Sequence, residues 1–201
     1  MANLIVLPKP YITERDLTLI APDYPVEVVQ GELNEVDMSA AGLEHMFITN
    51  NVYDLIKPYV DAHRLGFVHT NGLTYILQKE GDRVQITRIP NFGFIRRHRI
   101  RQSVDLSRPF NGYPDLAIEI ITRDETTMHI LAKVQDYLVA GTDEVWVVFP
   151  SRQELHQYRR DNPTIRIYSG TDTIDTDRLF PGMKLVVEKL FTFPNFDTSP
   201  R

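Results

Sequence analysis

Polar and apolar residues alternate along residues 114–122, which read PDLAIEIIT. A period of two is typical of a β-strand, in which successive side chains point to opposite faces of the sheet. One face of the predicted strand carries Leu116, Ile118 and Ile120. The other face carries Asp115, Ala117, Glu119 and Ile121.

The apolar residues that follow recur with helical spacing, as Ile130, Leu131, Val134, Tyr137 and Leu138. Gly141 comes just after them, at a place where glycine often ends a helix. Residues 144–149 then form a short apolar run, which is typical of a buried strand. The pattern therefore predicts two neighbouring parallel strands, over residues 117–122 and 144–149, joined by a crossover helix over residues 126–140.

The upstream pattern predicts further elements of the same domain. Residues 1–25 contain four prolines and are predicted to be irregular. Residues 26–33, VEVVQGEL, resemble a strand that ends in a turn at Gly31, and helical spacing then runs from Leu43 to about His63. Residues 66–95 predict a two- or three-stranded antiparallel meander. No linker interrupts the pattern, so we expect one domain over residues 1–201.

Composition narrows the class of protein. The chain has 201 residues, no cysteine and a net charge of −5, and 24% of its residues are charged. Its length suffices for one domain with a full core, and the missing cysteines exclude disulfides and thiolate chemistry. No apolar run approaches the length of a membrane span, so we expect a cytoplasmic protein with no membrane partner. The negative charge argues against general adhesion to nucleic acid, although it leaves room for a local basic patch.

One carboxylate on the central strand suggests chemistry. Glu119 lies in the middle of a predicted buried strand, where an unpaired carboxylate is costly. Lys133 lies at the edge of the apolar stripe of the crossover helix, and its long side chain can bring an ammonium group to Glu119. The residues alone leave two interpretations open, a structural ion pair at the rim of the core and a functional pair.

Several motifs, taken in order, resemble the Uma-two family of restriction endonucleases, a branch of the PD-(D/E)xK nuclease superfamily. They are VEVVQGEL at 26–33, Glu44–His45, IPNFGFI at 89–95, PDLAIEIIT at 114–122, Lys133, Tyr137, Gly141, EVWVVFP at 144–150 and FPGMKL at 180–185. The resemblance implies an α/β (α+β) fold, with a restriction-endonuclease-like core made of a mixed β-sheet, an N-terminal helix and the crossover helix.

The resemblance also implies a metal-dependent endonuclease that hydrolyses DNA with Mg²⁺ or Mn²⁺. Glu119 matches the acidic residue of the (D/E)xK signature, and Lys133 matches a lysine that has moved to the crossover helix. Asp115 matches the aspartate of the PDL motif, and Glu44 is a candidate accessory acid. A hard cation can neutralise charge on the phosphate and lower the pKa of bound water, and oxygen ligands suit such a cation.

The second metal ligand departs from the family pattern. Asp115 and Glu119 are four residues apart on one strand, so their Cα atoms should be about 13 Å apart, too far to share one ion easily. The family usually has Pro-Asp on the neighbouring strand, where this chain has Pro90–Asn91. The amide oxygen of Asn91 is a neutral ligand, so we expect weak metal binding, or substitution by Asp115, or loss of catalysis.

The densest basic run follows the same segment and contains Arg96, Arg97, Arg99 and Arg101. These side chains are candidates for phosphate contacts beside the site, and a solvated loop is the alternative. Two functions therefore stay open. One is a metal-dependent DNA endonuclease, expected to act as a homodimer, and the other is a non-catalytic relative that binds nucleic acid or oligomerises.

Overall fold

The computed structural model describes residues 11–20, 26–35, 42–100, 105–123 and 125–195. The structure has three α-helices, α1 (Glu14–Leu19), α2 (Leu43–Ala62) and α3 (Thr127–Ala140), among these residues. The strands are β1 (Val26–Val29), β2 (Glu32–Glu35), β3 (Gly66–Thr70), β4 (Tyr75–Glu80), β5 (Arg83–Arg88), β6 (Phe92–Arg96), β7 (Phe110–Asn111), β8 (Leu116–Ile120), β9 (Glu144–Phe149), β10 (Glu154–Arg159), β11 (Asn162–Ser169), β12 (Thr173–Ile174) and β13 (Leu185–Val186).

A six-stranded mixed sheet forms the centre of the fold, in the order β11-β10-β9-β8-β6-β3. β8 and β9 are parallel and α3 connects them, which confirms the predicted strand–helix–strand unit. β6 and β10 flank this pair and run antiparallel to it. The sheet therefore contains one parallel pair among the described strands, and the carboxyl ends of β8 and β9 meet at the same edge.

The two faces of β8 pack against different helices, as the alternation predicts. Leu116, Ile118 and Ile120 enter a large apolar core, where they meet the buried residues of α2. Ala117 belongs instead to the cluster on the α3 side. All five residues of β8 are buried, so any polar side chain on this strand has to find partners inside the protein.

The crossover helix begins and ends where its sequence provides caps. The side-chain oxygen of Thr126 accepts a hydrogen bond from the backbone N–H of His129, which satisfies one of the free donors of the first turn. Gly141 ends the helix with φ 118°, a conformation that costs glycine little. Because both ends are fixed, the inner face of α3 is held in register with β8 and β9.

A second, five-stranded sheet in the order β2-β1-β5-β4-β7 corrects two predictions. The predicted meander at 66–95 is wrong as one unit, because β3 pairs with β6 while β4 and β5 form a hairpin in the second sheet. Residues 26–35 form a hairpin of two strands, where the sequence indicated one. Both outcomes depend on pairings between segments distant in sequence, which a local pattern does not encode.

The N-terminal segment also differs from its prediction. Residues 14–19 form α1, whose capping box joins Thr13 and Asp16 in reciprocal hydrogen bonds. The prediction of an irregular segment is therefore wrong for these residues, while residues 1–10 and 21–25 lie outside the described part. None of the described helices combines the length and the apolar character that a membrane crossing requires.

Candidate active site

Glu119 lies near the carboxyl end of β8, on the face that α3 covers. Its side chain is 4% exposed. One carboxylate oxygen accepts a hydrogen bond of 2.9 Å from the Tyr137 hydroxyl, and the other lies 3.3 Å from the Lys133 ammonium. Both partners come from α3, one turn apart, so a single helix face orients the carboxylate.

Lys133 joins Glu119 to a second carboxylate. Its ammonium group lies 3.1 Å from Glu125, which also accepts a hydrogen bond from the backbone N–H of Thr122. Burial acts to lower the pKa of Lys133, but the surrounding carboxylates outweigh burial and raise that pKa above its usual value. Lys133 is therefore a fixed positive charge at neutral pH, in contact with two acids.

Burial is the strongest influence on the pKa of Glu119. It raises the pKa of Glu119, and the neighbouring charges of Glu27 and Glu125 act in the same direction. Lys133 and the hydrogen bond from Tyr137 oppose this rise without cancelling it. The carboxylate is therefore held in a place where a further positive charge would stabilise its ionised form.

A second buried network adjoins the first and was not predicted from the sequence. Glu27, on β1, accepts hydrogen bonds from Arg88 at 2.6 Å and from the backbone N–H of Ile89 at 2.9 Å. Arg88 also bonds Asp136 of α3, at 2.6 Å. Glu27 is only 4% exposed, and its charge affects the pKa values of Glu119 and Lys133. The sequence feature that could have identified Glu27 is an acid within an apolar strand segment, VEVV at 26–29. The same feature identified Glu119.

The two networks together hold more negative than positive charge. Four carboxylates, those of Glu27, Glu119, Glu125 and Asp136, face two cations, Lys133 and Arg88. The histidines aside, the site therefore carries a surplus of two negative charges. A buried surplus of this size favours either proton uptake or a bound cation.

Asn91 lies beside Glu119, as the sequence predicts for the neighbouring strand. The register of β6 against β8 pairs Phe92 with Ile118, which places Asn91 opposite Glu119. The amide oxygen of Asn91 accepts a hydrogen bond of 2.6 Å from the backbone N–H of Ile120, and its amide nitrogen donates to Asn71 at 3.1 Å. Asn91 therefore lies next to β8, and its amide oxygen already accepts a hydrogen bond from the backbone of that strand.

His45 is a further residue at this place that sequence reasoning did not select. Its imidazole faces the side chain of Asn91 and the carbonyl of Ile120, and it experiences the charges of Glu125 and Lys133. Burial lowers the pKa of His45 and the charge of Lys133 acts in the same direction, while Asn91, Glu125 and the Ile120 backbone oppose them without cancelling the shift. The neighbouring Glu44, a predicted accessory acid, is exposed at the start of α2 and does not contact Glu119 or Lys133.

Asp115 lies at the opposite end of β8, and the structure does not bring it to Glu119. Its carboxylate accepts hydrogen bonds from Arg96 at 2.6 Å and from Arg99 at 3.0 Å. Arg96 also bonds Asp143, and Arg99 lies over the ring of Tyr113. Asp115 therefore organises the amino end of the strand, and sharing one ion with Glu119 is incompatible with this separation.

The predicted phosphate contacts share that end of the sheet. Arg96 and Arg99 are engaged with Asp115, and Arg97 is exposed between them. Arg101 lies outside the described residues. Because β6 runs antiparallel to β8, the basic run follows the end of β6 that is remote from Asn91 and Glu119. The basic run is thus not adjacent to the Glu119–Lys133 pair.

The residues around Glu119 fit a hard divalent cation in charge and in donor type. Glu119 and Asn91 supply oxygen atoms, and the surplus negative charge would be neutralised by one such ion. Each of these oxygens already accepts a hydrogen bond, and the side chain of Asn91 also bonds His45. Nowhere in the described ranges do three histidine, aspartate or glutamate side chains gather as a metal-binding group.

A cavity of about 380 Å³ opens beside the pair. It is lined by residues 42–45 at the start of α2, residues 121–123 after β8 and residues 149–151 after β9. It thus lies at the carboxyl ends of the parallel strands, the edge at which ligands commonly bind in α/β sheets. We call it the β8–β9 cavity.

Comparisons with known proteins agree with this architecture. The sequence profile of the Uma-two family, described as "Putative restriction endonuclease", matches residues 14–188. A crystal structure described as "a putative nuclease belonging to DUF820 from Anabaena variabilis ATCC 29413" superposes with a TM-score of 0.72 at 19% identity, covering 90% of this chain and 97% of that chain. No curated protein matches the sequence significantly. At this low identity the superposition establishes the restriction-endonuclease-like fold, and the profile match shows that the chain belongs to the Uma-two family.

Proposed function

We propose that the protein is a metal-dependent DNA endonuclease whose active site is centred on Glu119 and Lys133. The observation that supports it most strongly is the buried Glu119–Lys133 pair, in a network with two unbalanced negative charges. A purely structural ion pair needs no such surplus, whereas a site for Mg²⁺ or Mn²⁺ does.

The proposal assigns a role to each neighbouring group. Glu119 and Asn91 hold the ion, which supplies charge neutralisation at the phosphate and a bound water of lowered pKa. Lys133 acts as a point charge towards the phosphate and the attacking water. Tyr137 and Glu125 are positioning residues, because one fixes Glu119 and the other holds the ammonium group of Lys133.

Asn91 makes the predicted metal affinity weak. Mg²⁺ is usually held by one or two carboxylates, and here Glu119 is the single carboxylate beside Asn91 in the proposed ligand set. The same observation supports a second candidate function, in which the fold serves as a nucleic-acid-binding or oligomerising module. In that case the amide of Asn91 has a structural role, as the acceptor for the Ile120 N–H and a donor to Asn71.

A cleavage assay separates the two candidates. Supercoiled plasmid is incubated with excess protein and Mn²⁺ or Mg²⁺, and the nicked and linear forms are quantified. We expect slow cleavage by the native chain, none by Glu119→Gln or Lys133→Met, and native rates from Lys57→Met, a control on the exposed face of α2. Cleavage by Glu119→Gln at the native rate refutes the assignment of the site.

The homodimer belongs to the same proposal, because two active sites in one assembly can cut both strands of a duplex together. Light scattering coupled to size-exclusion chromatography gives the mass in solution. A mass twice that of the 23.3 kDa chain supports the homodimer, and a monomer at cleavage-competent concentrations contradicts it.

A further inference from the structure

The β8–β9 cavity adjoins the candidate active site through two of its lining residues, Thr122 and His45. Thr122, which lines the cavity, donates its backbone N–H to one oxygen of Glu125 at 3.2 Å, and the other oxygen of Glu125 binds Lys133 at 3.1 Å. His45 lines the same cavity and faces Asn91. A molecule in this cavity would therefore lie against the groups that surround Glu119.

The chemistry of the lining suits a nucleotide. Arg123 is exposed at the cavity and forms no ion pair within the described ranges, so its guanidinium is free to bind a phosphate. Phe149 also lines the cavity, and the centroid of its partly buried aromatic ring lies 4.4 Å from that of the His156 ring. Glu44 adds a carboxylate acceptor at the rim, which suits the amino groups of bases rather than a phosphate.

The size of the cavity suits one nucleotide. A volume of about 380 Å³ lies at the lower end of the range for small-molecule sites. Enzymes that place a base in such a pocket either act on a single strand or rotate the nucleotide out of the duplex. A free cation and an aromatic ring are the combination that recurs in single-strand binding.

We propose that the β8–β9 cavity binds one unpaired deoxynucleotide next to the phosphodiester bond that the Glu119–Lys133 site hydrolyses, so that single-stranded DNA is the preferred substrate and a duplex binds only at the cost of unpairing that nucleotide. This inference rests on the proposed endonuclease function and specifies its substrate. Arg123 contacts the phosphate, Phe149 packs against the base, and His45 lies between the nucleotide and the metal ligands.

The test measures binding in the absence of metal, so that cleavage plays no part. Fluorescence anisotropy in EDTA compares a labelled deoxy-oligonucleotide of about ten nucleotides with its blunt duplex and with the ribo-oligonucleotide of the same sequence. We expect the single deoxy strand to bind at least about fivefold more tightly than the duplex. Arg123→Ala and the cavity-filling Ser151→Trp should each weaken that binding by about fivefold or more.

Arg15→Ala is the matched control, because it removes the same charge from an exposed arginine of α1, which does not line the cavity. We expect it to change single-strand affinity by less than about twofold, and circular dichroism verifies that each variant is folded. Equal affinity for duplex and single strand overturns the inference, as does tighter binding of the ribo-oligonucleotide. An Arg123→Ala effect no larger than that of Arg15→Ala also overturns it.

The result is distinguishable from failure of the proposed function. Single-strand binding that depends on Arg123, without any cleavage, supports the cavity assignment and counts against catalysis. Cleavage that depends on Glu119 and prefers the duplex overturns the cavity assignment and leaves the active site intact.

Discussion

Replacing Lys133 by methionine should destabilise the protein through the charge that it leaves behind. The Lys133 side chain is 11% exposed and that of Glu119 is 4% exposed, so little solvent is available to screen the carboxylate. The variant would keep four buried or partly buried carboxylates against Arg88 alone. Removing one partner of a buried ion pair costs about 3–5 kcal/mol, and we expect a loss in this range at pH 7.5.

The pH dependence of this loss has a defined sign. The pKa of Glu119 is already raised in the folded state, so the folded protein binds this proton more tightly than the unfolded chain does. Proton binding by Glu119 therefore adds to the free energy of unfolding at low pH, and this addition is lost as pH rises through the raised pKa. Without Lys133 that pKa rises further, because the main opposing charge is gone. The difference in free energy of unfolding between Lys133→Met and the native chain should therefore be smaller at pH 5 than at pH 7.5.

Urea unfolding followed by circular dichroism at the two pH values measures these differences. The double variant Lys133→Met/Glu119→Gln, which leaves no charge at either position, should recover more than half of the lost stability at pH 7.5. A loss below about 1 kcal/mol, or a double variant as unstable as the single one, would refute the reasoning, because surface pairs have effects of that size.

Three further predictions concern the neighbours of this pair. Tyr137→Phe removes the 2.9 Å hydrogen bond to Glu119 and should cost about 1.5–3 kcal/mol in urea unfolding, with a larger loss at pH 8 than at pH 5 because the pKa of Glu119 rises. Asn91→Asp places a second carboxylate beside Glu119, so thermal denaturation in EDTA should show a lower Tm, which Mn²⁺ should restore. If Asn91→Asp has the same Tm as the native chain in EDTA, and Mn²⁺ does not raise it, this prediction is wrong. Asp115→Asn should cost about 3 kcal/mol, because Arg99 loses its carboxylate partner, but calorimetry should find Mn²⁺ affinity unchanged.

The central part of the fold is predictable because its sequence pattern is local. The alternation around Glu119 gives the two faces of β8, and the helical spacing up to Tyr137 gives the inner face of α3. Once both are known, only Lys133 and Tyr137 can reach the buried carboxylate from the helix. The pair at 3.3 Å was therefore predictable from residue positions fourteen apart.

The rest of the site depends on long-range pairing that no local pattern specifies. Glu27 reaches Arg88 because β1 pairs with β5, two segments about sixty residues apart. The basic run seemed close to the site because it follows Asn91 in sequence, yet a five-residue strand carries it to the other end of the sheet. The sequence does not predict His45 as a site residue, because its helix position alone does not show that the imidazole faces Asn91.

The most direct test of the central claim is the anomalous difference map of crystals soaked in Mn²⁺. We expect a single peak at bonding distance from a carboxylate oxygen of Glu119 and next to Asn91, with higher occupancy in Asn91→Asp. The peak should disappear in Glu119→Gln. A peak at Asp115, or the absence of any peak at Glu119 in both the native chain and Asn91→Asp, would show that Glu119 is not the metal ligand.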